Sequence, residues 1–177
     1  MMIKNTKNGF TIFFAALVGS LALAVGLSMY DLLVRELALS QVSSQSQYAI
    51  YAADTGAECA LFYDVARGLG KDAFATSSAA GAGGASSGDV ATCNGQNIFA
   101  STNSILGNGS DLSVIKSSSS ATTTFYLSMG TKDTDPAVKV EVIKSGDPSQ
   151  TTIISHGYNR YNAKGVVKVE RTLRVSY

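Results

Sequence analysis

The N-terminal stretch Asn8-Gly9-Phe10-Thr11-Ile12-Phe13-Phe14-Ala15-Ala16-Leu17 opens an apolar run that continues to Tyr30. From Phe10 onward, about 21 residues pass without a charged side chain, which is long enough for a helix to cross the hydrocarbon core of a bilayer. Lys4 and Lys7 precede the run, and Asp31 follows it. The sequence therefore predicts an N-terminal helix that lies in a membrane or among other apolar helices.

The junction between the basic leader and the apolar run is more specific than the run itself. Two lysines are followed by Gly9 and then by an aromatic residue that begins the apolar helix, an order that resembles the type IV prepilin signal. The resemblance implies that prepilin peptidase cuts between Gly9 and Phe10 and that the new amino terminus at Phe10 is methylated. Glycine suits this position because a peptidase in the membrane needs an unencumbered backbone beside the helix.

One position departs from the family pattern. Most major pilins carry a glutamate as the fifth residue of the mature chain, where this sequence has Phe14. A charge there is tolerated because it can pair with the amino terminus of a neighbouring subunit. PilX-like minor subunits and the K-type pseudopilin of type II secretion also lack this glutamate. The resemblance therefore implies a minor pilin or pseudopilin rather than an abundant filament-building subunit.

The same resemblance implies a location and a set of partners. A single-pass helix with its amino terminus inside would lie among the lipids of the cytoplasmic membrane before the subunit enters an extracellular filament at the cell surface. Its partners would be other pilin subunits, through the N-terminal helix, together with prepilin peptidase and the pilus assembly platform. The filament would serve adhesion, motility, secretion or DNA uptake, and no cofactor is implied.

Two other interpretations use the same residues. In a secretory signal peptide, Lys4 and Lys7 would form the charged region, 10–21 the apolar region, and Ala22-Leu23-Ala24 the signal-peptidase site. The apolar pattern instead continues past this site to Leu33, as in a retained helix. A plain membrane anchor without processing is also consistent with the hydropathy. Either alternative leaves an anchored or secreted β-rich binding module outside any filament.

Composition and charge indicate an exported chain with one modest domain. The 177 residues contain 14 Lys and Arg against 13 Asp and Glu, so the chain lacks the basic excess of a committed nucleic-acid-binding protein. Cys59 and Cys93 are consistent with an oxidising compartment, where they would pair as a disulfide; two buried thiols are the alternative. The length allows one anchor helix and one small globular domain.

The helical pattern continues past the apolar run. Segment 40–47 contains no Gly or Pro, which favours one helix from Phe10 to Arg67. Asp54 and Glu58 fall on one side of it, where exposure to solvent or to a neighbouring subunit explains them better than acid–base catalysis. Segment 47–60 also resembles the region that follows the anchor in PilX-like pilus-assembly proteins. The side predicted to face a globular partner comprises Tyr48, Ala52, Thr55, Cys59, Phe62 and Ala66.

The C-terminal third predicts an antiparallel sheet. Runs of β-branched and aromatic residues are separated by polar turns and occupy 124–129, 138–143, 151–155 and 166–175. Before them, Ser- and Gly-rich segments surround a short ordered island at 92–99, in which Asn94-Gly95 predicts a turn. The predicted fold is α+β and pilin-like, with the helix packed on the sheet. Its parts are a leader (1–9), a membrane or filament-core half-helix (10–34), a domain half-helix (35–67), loops (68–124) and the sheet (125–177).

No catalytic or metal-binding motif is present in the sequence. Its one histidine, His156, would point away from the adjacent Ser155 on a strand, and the cysteines lack the spacing of a metal site. We therefore expect neither an enzyme nor a metalloprotein. Basic residues beside Tyr158 and Tyr161 would suit a DNA partner, but interspersed acids favour a solvated sheet face. These basic residues are Lys139, Lys144, Arg160, Lys164, Lys168, Arg171 and Arg174.

Overall fold

The structure, a computed structural model, is α+β: one long helix and a five-stranded antiparallel sheet. It describes residues 9–66, 73–75, 91–99, 112–132, 134–145, 150–161 and 168–177. The chain divides into two compact units, Met1–Ser43 and Ser44–Tyr177. The described part of the first unit is helical throughout. The second unit, which we call the head, contains the remainder of the helix and all of the described strands.

Helix α1 spans Gly9–Leu61 and passes directly into a π-helical turn at Phe62–Ala66. A single helix over this region was predicted, and it is confirmed as far as Ala66; Arg67 lies outside the described residues. The helix is long and apolar enough to span a membrane. The absence of a proline and the preference of Ala and Leu for helical backbone explain why it continues without a break.

The sheet is a simple meander in which every neighbouring pair is antiparallel. A two-stranded hairpin, β1 (Thr92–Cys93) and β2 (Gln96–Asn97), precedes it. The five strands of the sheet follow in the order in which they pair: β3 (Ser113–Lys116), β4 (Ser120–Ser128), β5 (Ala137–Ser145), β6 (Gln150–Tyr158) and β7 (Glu170–Ser176).

One face of the sheet is buried under the helix, and the other face is partly exposed to solvent. On β5, Val138, Val140 and Val142 are buried while Lys139 and Glu141 are partly exposed, as the sequence alternation predicted. Burying these apolar side chains supplies the main driving force for folding. The largest buried side chains beside the valines are Phe74, Phe99, Phe125, Leu127 and Ile153.

The head half of α1 lies very close to strand β6. A Cβ atom on Gly157 would overlap the backbone oxygen of Ala49 and the backbone nitrogen of Ala53. The Ser155 hydroxyl donates a 2.6 Å hydrogen bond to the Ala53 carbonyl. Gly56 leaves no room either, because a Cβ there would lie 2.7–2.8 Å from the side chains of Val138, Val140 and Ser155. Small residues therefore allow helix and sheet to meet backbone to backbone.

The helix face that contacts the sheet differs from the predicted one. Tyr48 and Phe62 were expected to face the sheet, but they are 54% and 51% exposed. The contact face is rotated toward smaller side chains because the close approach to β6 excludes bulky residues. It comprises Ala49, Ala52, Ala53, Gly56, Ala57, Cys59 and Ala60, so Ala52 and Cys59 are the predicted members that are buried.

Several boundaries also differ from the sequence prediction. Strand β3 and the start of β4 lie inside segment 68–124, which was expected to form loops apart from one island. Ser and Thr dominate this region, so its strand signal is weak, and pairing with β5 stabilises β4 there. In the same segment, Phe74 is fully buried. The strand expected from 166 begins at Glu170, and 166–167 lie outside the described residues.

Replacing Gly157 with Ala should destabilise the head strongly. The new methyl group would push on helix backbone rather than on a flexible side chain, and overpacking of this kind costs about 3 kcal/mol. Denaturant unfolding of the full chain in detergent, followed by tyrosine fluorescence, measures the change. Gly26→Ala is the matched control because, apart from the adjoining helix backbone, no atom lies within 4 Å of its Cβ position. Equal stability of the two variants would contradict the close contact.

Candidate functional site

The first half of α1 presents an apolar surface that contains no charged side chain from Phe10 to Tyr30. Gly9 begins α1, and Phe10 directly after it is 79% exposed. The large apolar side chains from Ile12 to Val42 are exposed as well. Exposed apolar surface of this extent marks contact with lipid or with other proteins. Gly19 and Gly26 have open space where a side chain would stand, and small residues of this kind let apolar helices approach each other closely.

A disulfide joins α1 to the hairpin. Cys59 and Cys93 are bonded, which is one of the two alternatives that the sequence left open, and their Cα atoms lie 6.2 Å apart. Tyr63, one turn further along, uses its hydroxyl to accept a hydrogen bond from the Thr92 backbone N–H at 2.8 Å, and it lies 3.1 Å from the Thr92 carbonyl. The hairpin is therefore held to the helix at two adjacent points.

The predicted turn at Asn94-Gly95 is confirmed. Both residues have positive φ, 48° and 73°, as a two-residue hairpin turn with left-handed backbone requires. The side chain of Gln96, directly after the turn, forms two hydrogen bonds with the backbone of Ser128 at the end of β4. This contact ties the hairpin to the sheet as well as to the helix.

A buried polar cluster lies where the helix ends above the sheet. The Asp64 carboxylate, in the π-helical turn, has one oxygen 2.6 Å from the Lys144 ammonium, and its other oxygen accepts a 2.6 Å hydrogen bond from the Tyr177 hydroxyl. The Asp64 and Lys144 side chains are only 4% and 7% exposed. Burial and the bond to Asp64 raise the pKa of Tyr177. Lys144 pairs with Thr151, which in turn exchanges backbone hydrogen bonds with Tyr177.

Sequence reasoning did not find this cluster, although a signal for it exists. Lys144 continues the inward-facing series of Val138, Val140 and Val142 at every second position of β5. Strict alternation therefore puts its ammonium on the buried face, where a lysine requires an acidic partner. Only the folded chain reveals that the partner is Asp64, because the two residues are far apart in sequence and lie on different elements.

The outer face of the sheet carries a tyrosine cluster. The Tyr161 ring lies 6.2 Å from that of Tyr126 and 6.1 Å from that of Tyr158, edge to face in both cases. The Lys168 ammonium lies 4.3 Å from the centre of the Tyr158 ring, a cation–π distance. Burial raises the pKa of Tyr158 and Tyr161. In these contacts the tyrosine rings pack against one another and against Lys168 of the same chain.

The basic residues that the sequence suggested as one cluster lie in different environments in the structure. Lys144 lies on the inner face, Lys139 pairs with Glu141 on the outer face, and Arg171 donates a 2.8 Å hydrogen bond to the Ser46 hydroxyl on α1. Lys164 lies outside the described residues. The described basic side chains therefore do not form one continuous stripe.

The remaining candidate residues lie apart from one another. His156 lies on the outer face, 2.8 Å from Glu170, whereas Ser155 points inward to α1, so the two cannot act together. Asp54 and Glu58 are exposed on the helix, as expected. Among the residues that the structure describes, no group of His, Cys, Asp and Glu is arranged to hold a metal ion.

Loss of the disulfide should lower the stability of the head without changing its fold. A bridge across a separation of 34 residues restricts the unfolded chain, and its removal costs about 3 to 4 kcal/mol. The Cys59→Ala, Cys93→Ala double variant should therefore unfold at lower denaturant concentration than the oxidised wild type. The reduced wild type should match the double variant. A bridge without effect on the midpoint would contradict this expectation.

Tyr177 should make the head sensitive to alkaline pH. Its pKa in the folded head is raised above the ordinary value of 10.0, so its protonated hydroxyl makes its full contribution to the unfolding free energy below pH 10. That contribution is lost as the pH rises further, because Tyr177 of the unfolded chain releases its proton first. Tyr177→Phe should therefore flatten the decline of unfolding free energy above that pH. Tyr51→Phe, on the exposed side of α1, is the control. Parallel pH profiles for the wild type and Tyr177→Phe would contradict the raised pKa.

The described residues thus offer two candidate sites of different kinds. The exposed apolar surface at 10–30 contains no charged side chain, which suits contact with lipid or with other apolar helices. The cluster of Asp64, Lys144 and Tyr177 is buried and polar, and it brings a nucleophilic side chain next to an acid. No protein-family model, curated protein or solved structure matches the chain.

Proposed function

We propose that the chain is a minor type IV pilin or pseudopilin, a structural subunit of an extracellular filament or of its assembly machinery. One observation carries the proposal: the helix that carries the exposed apolar surface is the same uninterrupted helix that packs on the sheet. A detachable signal peptide has no need of such continuity. A subunit that is held by its apolar helix, first in lipid and then among other helices, does need it.

Two further features support the proposal. Gly9 and Phe10 stand at the start of α1, where a prepilin peptidase would cut and a methylated amino terminus would follow. The Cys59–Cys93 disulfide suits a head that is exported from the cytoplasm. In this proposal, the first half of α1 contacts the helices of other subunits through small residues that include Gly19, Ala22 and Gly26. The absence of a glutamate at Phe14 favours a minor subunit.

The amino terminus of the mature protein tests this proposal. We expect mass spectrometry of the chain from its native membrane to find a start at methylated Phe10. Gly9→Val should leave the leader in place, because a branched side chain obstructs the scissile bond, whereas Gly19→Ala should be processed like the wild type.

Other starting residues would contradict the proposal and identify the alternative. An amino terminus at Val25 would indicate secretion after a signal peptide. An intact Met1 in the wild type would indicate an unprocessed membrane anchor. In either case the head would be an exported β-rich binding module rather than a filament subunit.

A further inference from the structure

The buried pair of Lys144 and Asp64 has the components of a covalent cross-link. The Lys144 nitrogen lies 2.6 Å from one Asp64 oxygen, Oδ1, within a site where both side chains are more than nine-tenths buried. Although that distance is short, Oδ1 accepts no hydrogen bond of good geometry. The amine therefore lies against the carboxyl group without being aligned as an ordinary hydrogen-bond donor to this oxygen.

Tyr177 contacts the other oxygen of the same carboxyl group. Its hydroxyl donates a 2.6 Å hydrogen bond to Oδ2, the second oxygen of the Asp64 carboxyl. A donor fixed at this oxygen stabilises the negative charge that develops there when a nucleophile attacks the carboxyl carbon. The neighbouring Thr151 holds the Tyr177 backbone in register through two hydrogen bonds, of 2.9 and 3.1 Å.

We propose that the Lys144 amine and the Asp64 carboxyl condense to an intramolecular isopeptide bond that joins the end of α1 to strand β5. A proton passes from Nζ to Oδ1, the nitrogen attacks Cγ, and Oδ1 leaves as water with a second proton from the nitrogen. One C–N bond forms and one C–O bond breaks. Nothing is oxidised or reduced, and no co-reactant is consumed.

Burial supplies a reason for the reaction to proceed in the folded chain. An ion pair removed from water retains a desolvation cost that the attraction between its charges does not always repay. An amide carries no charge, so condensation removes that cost. The fold also holds the two groups in contact, so the reaction itself does not carry the entropy cost of bringing them together. The pair of Lys139 and Glu141 on β5 is partly exposed, at 31% and 25%, so water lowers the cost of its charges and the pair remains ionic.

Peptide mass spectrometry of the full chain tests the cross-link. The protein is purified in detergent, incubated for days in the folded state, reduced, denatured and digested with trypsin. We expect the Asp64 and Lys144 peptides to be joined with the loss of one water molecule, and trypsin not to cut after Lys144. Lys139→Met should retain the cross-link, whereas Lys144→Met and Asp64→Ala should lack it. Tyr177→Phe should slow its formation by about tenfold or more.

A wild-type chain with unmodified Lys144 and Asp64 peptides after this incubation overturns the proposal. Because the product is covalent and is read after denaturation, the wild-type result decides even if a variant fails to fold. A cross-link that forms equally fast in Tyr177→Phe would remove the assisting role of that hydroxyl. The inference is independent of the proposed filament, since an anchored or secreted head would carry the same bond.

Discussion

The contact between the backbone of α1 and strand β6 is the constraint on which the rest of the head depends. Gly157 lies directly against the helix backbone at Ala49 and Ala53, and Ser155 donates a hydrogen bond to a helix carbonyl. At this separation no side chain larger than alanine fits between the two elements. The alanine-rich face of the helix is therefore the face that can lie against this strand. The large aromatic side chains pack beside this line of contact, where Phe74 lies 5.8 Å from Phe99 and 5.9 Å from Phe125.

Polar groups then determine how the helix ends. Beyond Leu61 the backbone widens into a π-helical turn that contains Asp64. π-Helical turns are uncommon and are frequently found at functional sites. Here the turn accompanies a carboxylate buried against Lys144 and Tyr177 instead of one that points to solvent. Breaking such a buried pair by removing one partner leaves an uncompensated charge, so the helix end and the sheet are strongly coupled.

Local patterns were sufficient to predict much of this structure. Alternation on β5 identified the buried valines, the Asn94-Gly95 pair identified the hairpin turn, and the uninterrupted run from Phe10 identified the helix. The predicted contact face of the helix was wrong. The prediction chose the side with large apolar residues at helical spacing, whereas the side that packs closely on the sheet carries small ones. Strand β3 was missed because its stability comes from pairing with β4 rather than from its own residues. The partners of Lys144 could be identified only from the folded structure, since none of them is its neighbour in sequence.

The position of the disulfide has a consequence for how this chain can change over time. Cys59 and Cys93 lie on elements that are already held together, by Tyr63 and Thr92 and through Gln96 and Ser128. The polypeptide between the two cysteines is thus a closed loop with both ends fixed. The entropy cost of closing a chain into a loop grows slowly with its length, by about 0.6 kcal/mol for each doubling. A change in chain length between these cysteines can therefore leave the helix, the hairpin and the sheet in place only where it spares Asp64 and Phe74, which pack against Lys144 and Phe125.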